Sequence, residues 1–103
     1  MSMSVSVGQK TYEFDGPFST KSSLKSQSGV YLISTKNPDK HKVLDIGESG
    51  NVADRVLTHD RESCWTSHAI DGVYYSAYYC DESTRMSVET ELRDAYNPTC
   101  GDN

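Results

Sequence analysis

Two strand-like runs joined by a turn, with a helix launched from a glycine behind them, constrain this chain more than any other feature. The runs are "GVYLIST" at residues 29–35 and "HKVLDIG" at residues 41–47, with the turn-forming "KNPDK" between them. This pattern predicts an antiparallel hairpin. With Lys36 to Lys40 as the turn, Thr35 faces His41, Ile33 faces Val43 and Tyr31 faces Asp45. After Gly50 a helix is predicted, capped by Asn51 with Asp54 three positions on, as in a capping box. Val52, Ala53, Val56 and Leu57 supply its apolar side, while Asn51, Arg55 and His59 recur every four residues on another.

A strand, a glycine turn and a helix in succession also build nucleotide-phosphate loops. "GESGNVADR" has neither the Lys-Ser/Thr pair of a Walker loop nor a G-x-G-x-x-G fingerprint, and Glu48 would repel phosphate. Gly47 and Gly50 therefore read as the joint that carries the chain from strand into helix.

Beyond the hairpin, "GVYYSAYYC" at residues 72–80 alternates as a strand covered on both faces, which suits a central position. "DESTRMSVETELRDAYNP" at residues 81–98 predicts a second helix, capped near Ser83, with Val88, Leu92, Ala95 and Tyr96 on its apolar face. Arg85, Glu89 and Arg93 form an i, i+4 chain beside that face. Residues 1–28 read as a lead-in with one possible edge strand at "TYEF", closed by a Gly16-Pro17 turn. At 103 residues the chain makes one domain. The expected class is α+β: a small antiparallel sheet of three core strands, with "TYEF" as a fourth, flanked by helices.

The formal net charge of −5 weighs against a nucleic-acid partner, yet its distribution does not. Residues 1–42 carry six lysines against three acids, so a basic patch can form there. No apolar run is long enough for a membrane helix, and the N-terminus lacks a signal-peptide layout, so a cytoplasmic location is expected. Cys64, Cys80 and Cys100 are odd in number and widely spaced, which reads as free thiols. With His59 and His68 they also allow a zinc-stabilised structural domain as one further reading.

Taken in order, Gly29-Val30-Tyr31, Asp45-Ile46-Gly47, Arg55 eight residues later, His59 one turn on, and Glu89 nine residues before Pro98 resemble the GIY-YIG nuclease superfamily. The resemblance covers residues 29–103. It implies a metal-dependent DNA endonuclease that hydrolyses phosphodiester bonds with Mg²⁺ or Mn²⁺. In that reading Tyr31 activates the attacking water, Arg55 binds the scissile phosphate and Glu89 holds the metal. His59 assists or orients the phosphate, and Gly47 and Asn51 lie on the substrate side with Arg55. Glu91 is the rival of Glu89, but the two sit about 200° apart on the helix, and the step to Pro98 favours Glu89.

Two departures stand out. Asp45 occupies the place of the second tripeptide's tyrosine, where it could accept the Tyr31 proton or join a metal site through water, and Glu48 stands where the family is often basic. The C-terminal asparagine of the family has no clear match, since Gly101 falls at its place between Asn97 and Asn103. These departures support an alternative: a catalytically altered or inactive module that binds nucleic acid or protein. A chain this short leaves no room for a separate DNA-reading domain, so specificity would come from loops, a homodimer or a partner protein. Trp65 and the tyrosines at 74, 75, 78 and 79 suit core packing better than base stacking.

Overall fold

The computed structural model describes residues 2–38 and 40–101. Five antiparallel strands form one sheet: β1 (Ser2–Val7), β2 (Lys10–Phe18), β3 (Gly29–Lys36), β4 (His41–Ser49) and β5 (Asp71–Tyr79), in the order β1-β2-β5-β3-β4. The helices are α1 (Val52–Leu57), α2 (Glu62–Ser67) and α3 (Glu82–Tyr96). The α+β class and antiparallel sheet are as expected, with β5 in the middle. The strand count is not: residues 1–28, expected to offer one edge strand, supply both β1 and β2. "SMSVSV" alternates serine with Met3, Val5 and Val7, the period of a strand with one face inward: Val5 is buried and Met3 and Val7 pack beside it. β1 holds its place through ladder pairing with β2, from Ser2↔Asp15 to Val7↔Lys10. The predicted Gly16-Pro17 turn lies inside β2, where the register against β5 shifts between Asp15 and Phe18.

Each face of the sheet carries its own core. On one face, Tyr31, Ile33, Leu44, Tyr75 and Ala77 pack with Val52 and Val56 of α1 and Trp65 of α2. On the other, Val5, Phe14, Val30, Leu32 and Ile46 pack with Val88 and Leu92 of α3. Odd and even positions of β3 serve opposite cores, so β3 is buried along nearly its whole length. The apolar face expected of α3 shrinks to Val88 and Leu92, because Ala95 and Tyr96 are exposed.

The hairpin register differs from the predicted one. Lys36 pairs with His41, Thr35 with Lys42 and Ser34 with Val43; the register then shifts, so that Ile33 pairs with Asp45 and Tyr31 with Gly47. Leu44 is the extra residue of a β-bulge. The bulge keeps Asp45 and Gly47 on the Tyr31 face but moves Asp45 two residues along from Tyr31's partner.

The outer strands are tied down from outside the sheet. On β4, the Leu44 carbonyl accepts from the Cys100 amide at 2.6 Å and the Ile46 carbonyl from Arg93 Nη1 at 2.6 Å. On β1, the Ser6 carbonyl accepts from the Tyr96 hydroxyl at 2.5 Å.

Candidate active site

Tyr31 organises the site. Its side chain lies over Gly47, where an added Cβ would collide with the phenol's Oη and Cζ, so any other residue there would push the ring aside. Its hydroxyl lies 2.7 Å from His59 Nε2. The predicted stripe from Asn51 to His59 is not continuous helix: α1 ends at Leu57 with Thr58 as C-cap, and His59 lies in the connection to α2, its ring buried. It is not a helix-end cation. His59 Nδ1 accepts from the Arg61 amide at 3.1 Å. Asp60 Oδ1 also comes within 3.3 Å of Nδ1, but the amide aimed there requires a lone pair on that nitrogen. Burial, with Arg55 and Arg61 nearby, lowers the His59 pKa, so the ring is neutral, carries its proton on Nε2 and donates to Tyr31 Oη. Burial pushes the Tyr31 pKa up to about 12, while the Arg55 and Arg61 guanidiniums pull against it.

Asp45 does not face Tyr31, and it is not poised to take the phenol's proton. It is fully buried and four donors converge on it. Arg61 Nε reaches Oδ2 at 2.8 Å and Arg61 Nη2 reaches Oδ1 at 3.2 Å; Trp65 Nε1 reaches Oδ2 at 2.8 Å; the Ile46 amide reaches Oδ1 at 2.9 Å. Arg93 lies 3.7 Å from Oδ1. A carboxylate held by this many donors serves to fix its neighbours.

Arg55 projects from α1 with 41% of its side chain exposed, and its recorded contact is Asp60 at 3.5 Å. Glu48, the expected source of phosphate repulsion, is paired with Arg85 Nε at 2.6 Å. The Arg85–Glu89–Arg93 chain does not form: Arg85 turns to Glu48, Ser28 and Glu82, and Arg93 to Ile46 and Asp45. Glu89 is thus left half-buried without a hydrogen bond or ion pair among the described residues. It lines a groove with Thr90, Arg93, Asp94 and Asn97, and burial raises its pKa despite Arg93. Such a carboxylate fits a hard divalent cation, which would relieve its desolvation. Glu91 points elsewhere, accepting from Tyr12 at 2.6 Å and Lys10 at 3.2 Å.

Asn51 caps α1 as predicted, accepting from the Asp54 amide at 3.1 Å. Asn97 is the left-handed C-cap of α3, and Asn103 lies outside the described residues. Trp65 is core, its ring tilted at 46° to the His59 ring with centroids 4.8 Å apart. The cysteines correct the free-thiol reading: Cys64 and Cys100 form a disulfide, so neither can ligate zinc, and Cys80 alone is free. Sequence reasoning also missed Arg61. Its signal was Asp45 itself, since a carboxylate between Leu44 and Ile46 in a buried strand needs a cation.

No protein-family model matches the sequence, and no curated protein matches it. Among solved structures, three point mutants of the GIY-YIG N-terminal endonuclease domain of UvrC from Thermotoga maritima, bound to its catalytic divalent cation, share the arrangement of elements. The first two have TM-scores of 0.60 at 16% identity, and the third 0.59 at 15%. Each match covers 78% of this chain and 88% of the other. The chain has the GIY-YIG fold. In the GIY-YIG fold of this chain, Tyr31 and Gly47 stand paired across β3 and β4, α1 carries Arg55, and α3 brings Glu89 from the opposite face. Among the described residues, no helix is long and apolar enough to cross a membrane.

Proposed function

We propose that this protein is a metal-dependent DNA endonuclease. The observation that carries the reading is the Tyr31–His59 pair, seated on Gly47 beside an exposed Arg55 within a fold otherwise used by an endonuclease domain. Hydrolysis of a phosphodiester needs a base for the water, cationic charge for the phosphate and support for the departing 3′ oxygen. As the phenolate, formed by release of its proton to solvent, Tyr31 takes a proton from the attacking water, and the His59 Nε2–H stabilises that phenolate. Arg55 binds the scissile phosphate. Glu89 holds Mg²⁺ or Mn²⁺, which when bound supplies charge stabilisation to phosphate and leaving group.

The Cys64–Cys100 bridge weighs against the expected cytoplasmic location, since reducing compartments keep thiols open.

The test is plasmid nicking with Mg²⁺ or Mn²⁺, run beside Glu89→Ala and Tyr31→Phe. Loss of cutting in both variants supports the reading; no cutting with any metal, or cutting unchanged by both, overturns it. The alternative, a binding module without cleavage, draws on the replacement of the motif tyrosine by a fully engaged Asp45. Retarded migration of DNA without nicking favours it.

A further inference from the structure

We infer that Arg61 is a second phosphate-binding cation of this site, aimed by Asp45, and that the Asp45–Arg61 pair does here what an arginine and a polar group placed separately would do elsewhere. The inference rests on the nuclease reading and adds a residue to it.

Arg61 is tied to the centre twice. Its backbone amide donates to His59 Nδ1 at 3.1 Å, and His59 in turn reaches Tyr31. Its side chain lays Nε and Nη2 along the Asp45 carboxylate in a two-point fork, at 2.8 and 3.2 Å. Asp45 cannot shift to follow another partner, because Trp65 Nε1 and the Ile46 amide hold its two oxygens from other directions. A guanidinium carries five N–H donors in a fixed plane. The fork uses one edge of that plane and leaves Nη1 directed away from Asp45. The side chain keeps 26% exposure while its carboxylate partner has none, so the fork is anchored at a buried floor and the arginine is still open in part to solvent.

Arg61 reaches the centre through His59, and Asp60, the partner of Arg55 at 3.5 Å, lies 3.3 Å from His59 Nδ1, so both guanidinium-bearing residues border the Tyr31–His59 pair. A pentacoordinate phosphate carries more negative charge than the ground-state diester, spread over its non-bridging oxygens. A cation that is already held in position stabilises that charge without reorganising. Arg55, loosely paired at 3.5 Å with an exposed Asp60, can follow the substrate; Arg61 cannot move and so fixes one oxygen. Asp45 is then a positioning residue, which explains an acid buried at the heart of a site for an anionic substrate.

The experiment combines two readouts on wild type, Arg61→Ala, Arg61→Lys and the double variant D45N/R61Q. The double variant removes the buried charge together with its partner and so guards against simple unfolding; thermal melts confirm that each protein is folded. The first readout is cleavage of an oligonucleotide carrying a single phosphorothioate in either diastereomer at the scissile position. Wild type should lose rate with one diastereomer. Arg61→Ala and D45N/R61Q should cut the normal substrate about 100-fold more slowly, and the difference between diastereomers should shrink, which a purely structural residue would not cause. Arg61→Lys should recover only part of the rate. The second readout is DNA affinity against salt in EDTA, where Arg61→Ala and D45N/R61Q should each lose about one from the slope of log K against log salt, while Arg61→Lys, still a cation, should keep it.

Wild-type cutting that Arg61→Ala leaves intact, or slower cutting with an unchanged diastereomer difference, overturns the inference and spares the nuclease reading. A wild type that binds DNA without cutting, yet shows the slope change, overturns the nuclease reading and keeps Arg61 as a phosphate contact. Absence of both cutting and the slope change overturns both.

Discussion

The phenol of Tyr31 occupies the space that a side chain at Gly47 would need. The pair stands directly across β3 and β4, and the Tyr31 ring is held between that backbone and the His59 imidazole. Gly47→Ala should therefore displace Tyr31. The backbone of Gly47 has no positive φ to lose, so the effect is one of overpacking, about 1–3 kcal/mol of stability. Urea unfolding measures the loss, and nicking should fall at least as far as it does in Tyr31→Phe. A Gly47→Ala protein with full stability and activity would contradict this geometry.

Asp45→Ala should rank among the most destabilising single substitutions in the chain. It removes a fully buried acceptor from Arg61, Trp65 and the Ile46 amide together. Breaking a buried pair costs about 3–5 kcal/mol. The lower end is expected here, because Arg61 keeps contact with water. Asp45→Asn retains an oxygen for Trp65 and should lose less, a contrast that denaturant midpoints resolve.

Two limbs of the stability-pH curve should trace to the central pair. His59 has a depressed pKa in the fold, so its contribution is present above the ordinary histidine value near 6.5 and is lost as pH falls through the lower folded value. Tyr31 is raised from 10.0 to about 12, so its contribution is complete below pH 10 and is lost as pH climbs toward 12. The second limb amounts to about 3 kcal/mol at most. Tyr31→Phe should flatten the alkaline limb without abolishing it, because Tyr12 is also raised to about 12. His59→Gln should flatten the acidic limb, leaving the portion due to His41, which burial also lowers.

If Tyr31 acts as base, the cleavage rate should climb with pH from neutrality upward, since the phenolate is scarce below its pKa. Replacing His59 by phenylalanine removes the donor to Tyr31 Oη and should move that climb to higher pH. A rate independent of pH between about 7 and 10 would remove Tyr31 from the base role.

Reduction should be felt through α2. The Cys64–Cys100 bridge spans 36 residues, and opening a loop of that length removes about 3–4 kcal/mol by chain entropy. Cys64→Ser should match the reduced wild type in melting temperature, and dithiothreitol should leave the variant unchanged.

The sequence makes the hairpin, the central strand and the long final helix legible, because each rests on local periodicity and turn chemistry. Tyr31, Arg55 and Glu89 can be named for the same reason, by their order along those elements. The exact pairing cannot be read, since the extra residue at Leu44 looks like any other apolar strand position, and so Asp45 is placed opposite the wrong partner. "SMSVSV" carries a strand's alternation in Met3, Val5 and Val7, masked by its serine-rich surroundings, whereas "ESCWTS" lacks an apolar helical stripe and is held by its neighbours. The Cys64–Cys100 bridge depends on two distant segments meeting, which spacing does not encode. Arg61 goes unseen because its importance comes from the bend between two short helices, not from a motif.

The tied carbonyls along the outer strands have a consequence for how the molecule meets its neighbours. A foreign strand that paired with β4 at Leu44 and Ile46 would have to evict the Cys100 amide and Arg93, and one that paired with β1 at Ser6 would have to evict Tyr96. Both ends of the sheet are thereby guarded against open-ended stacking of copies, a hazard for any protein with exposed strand edges.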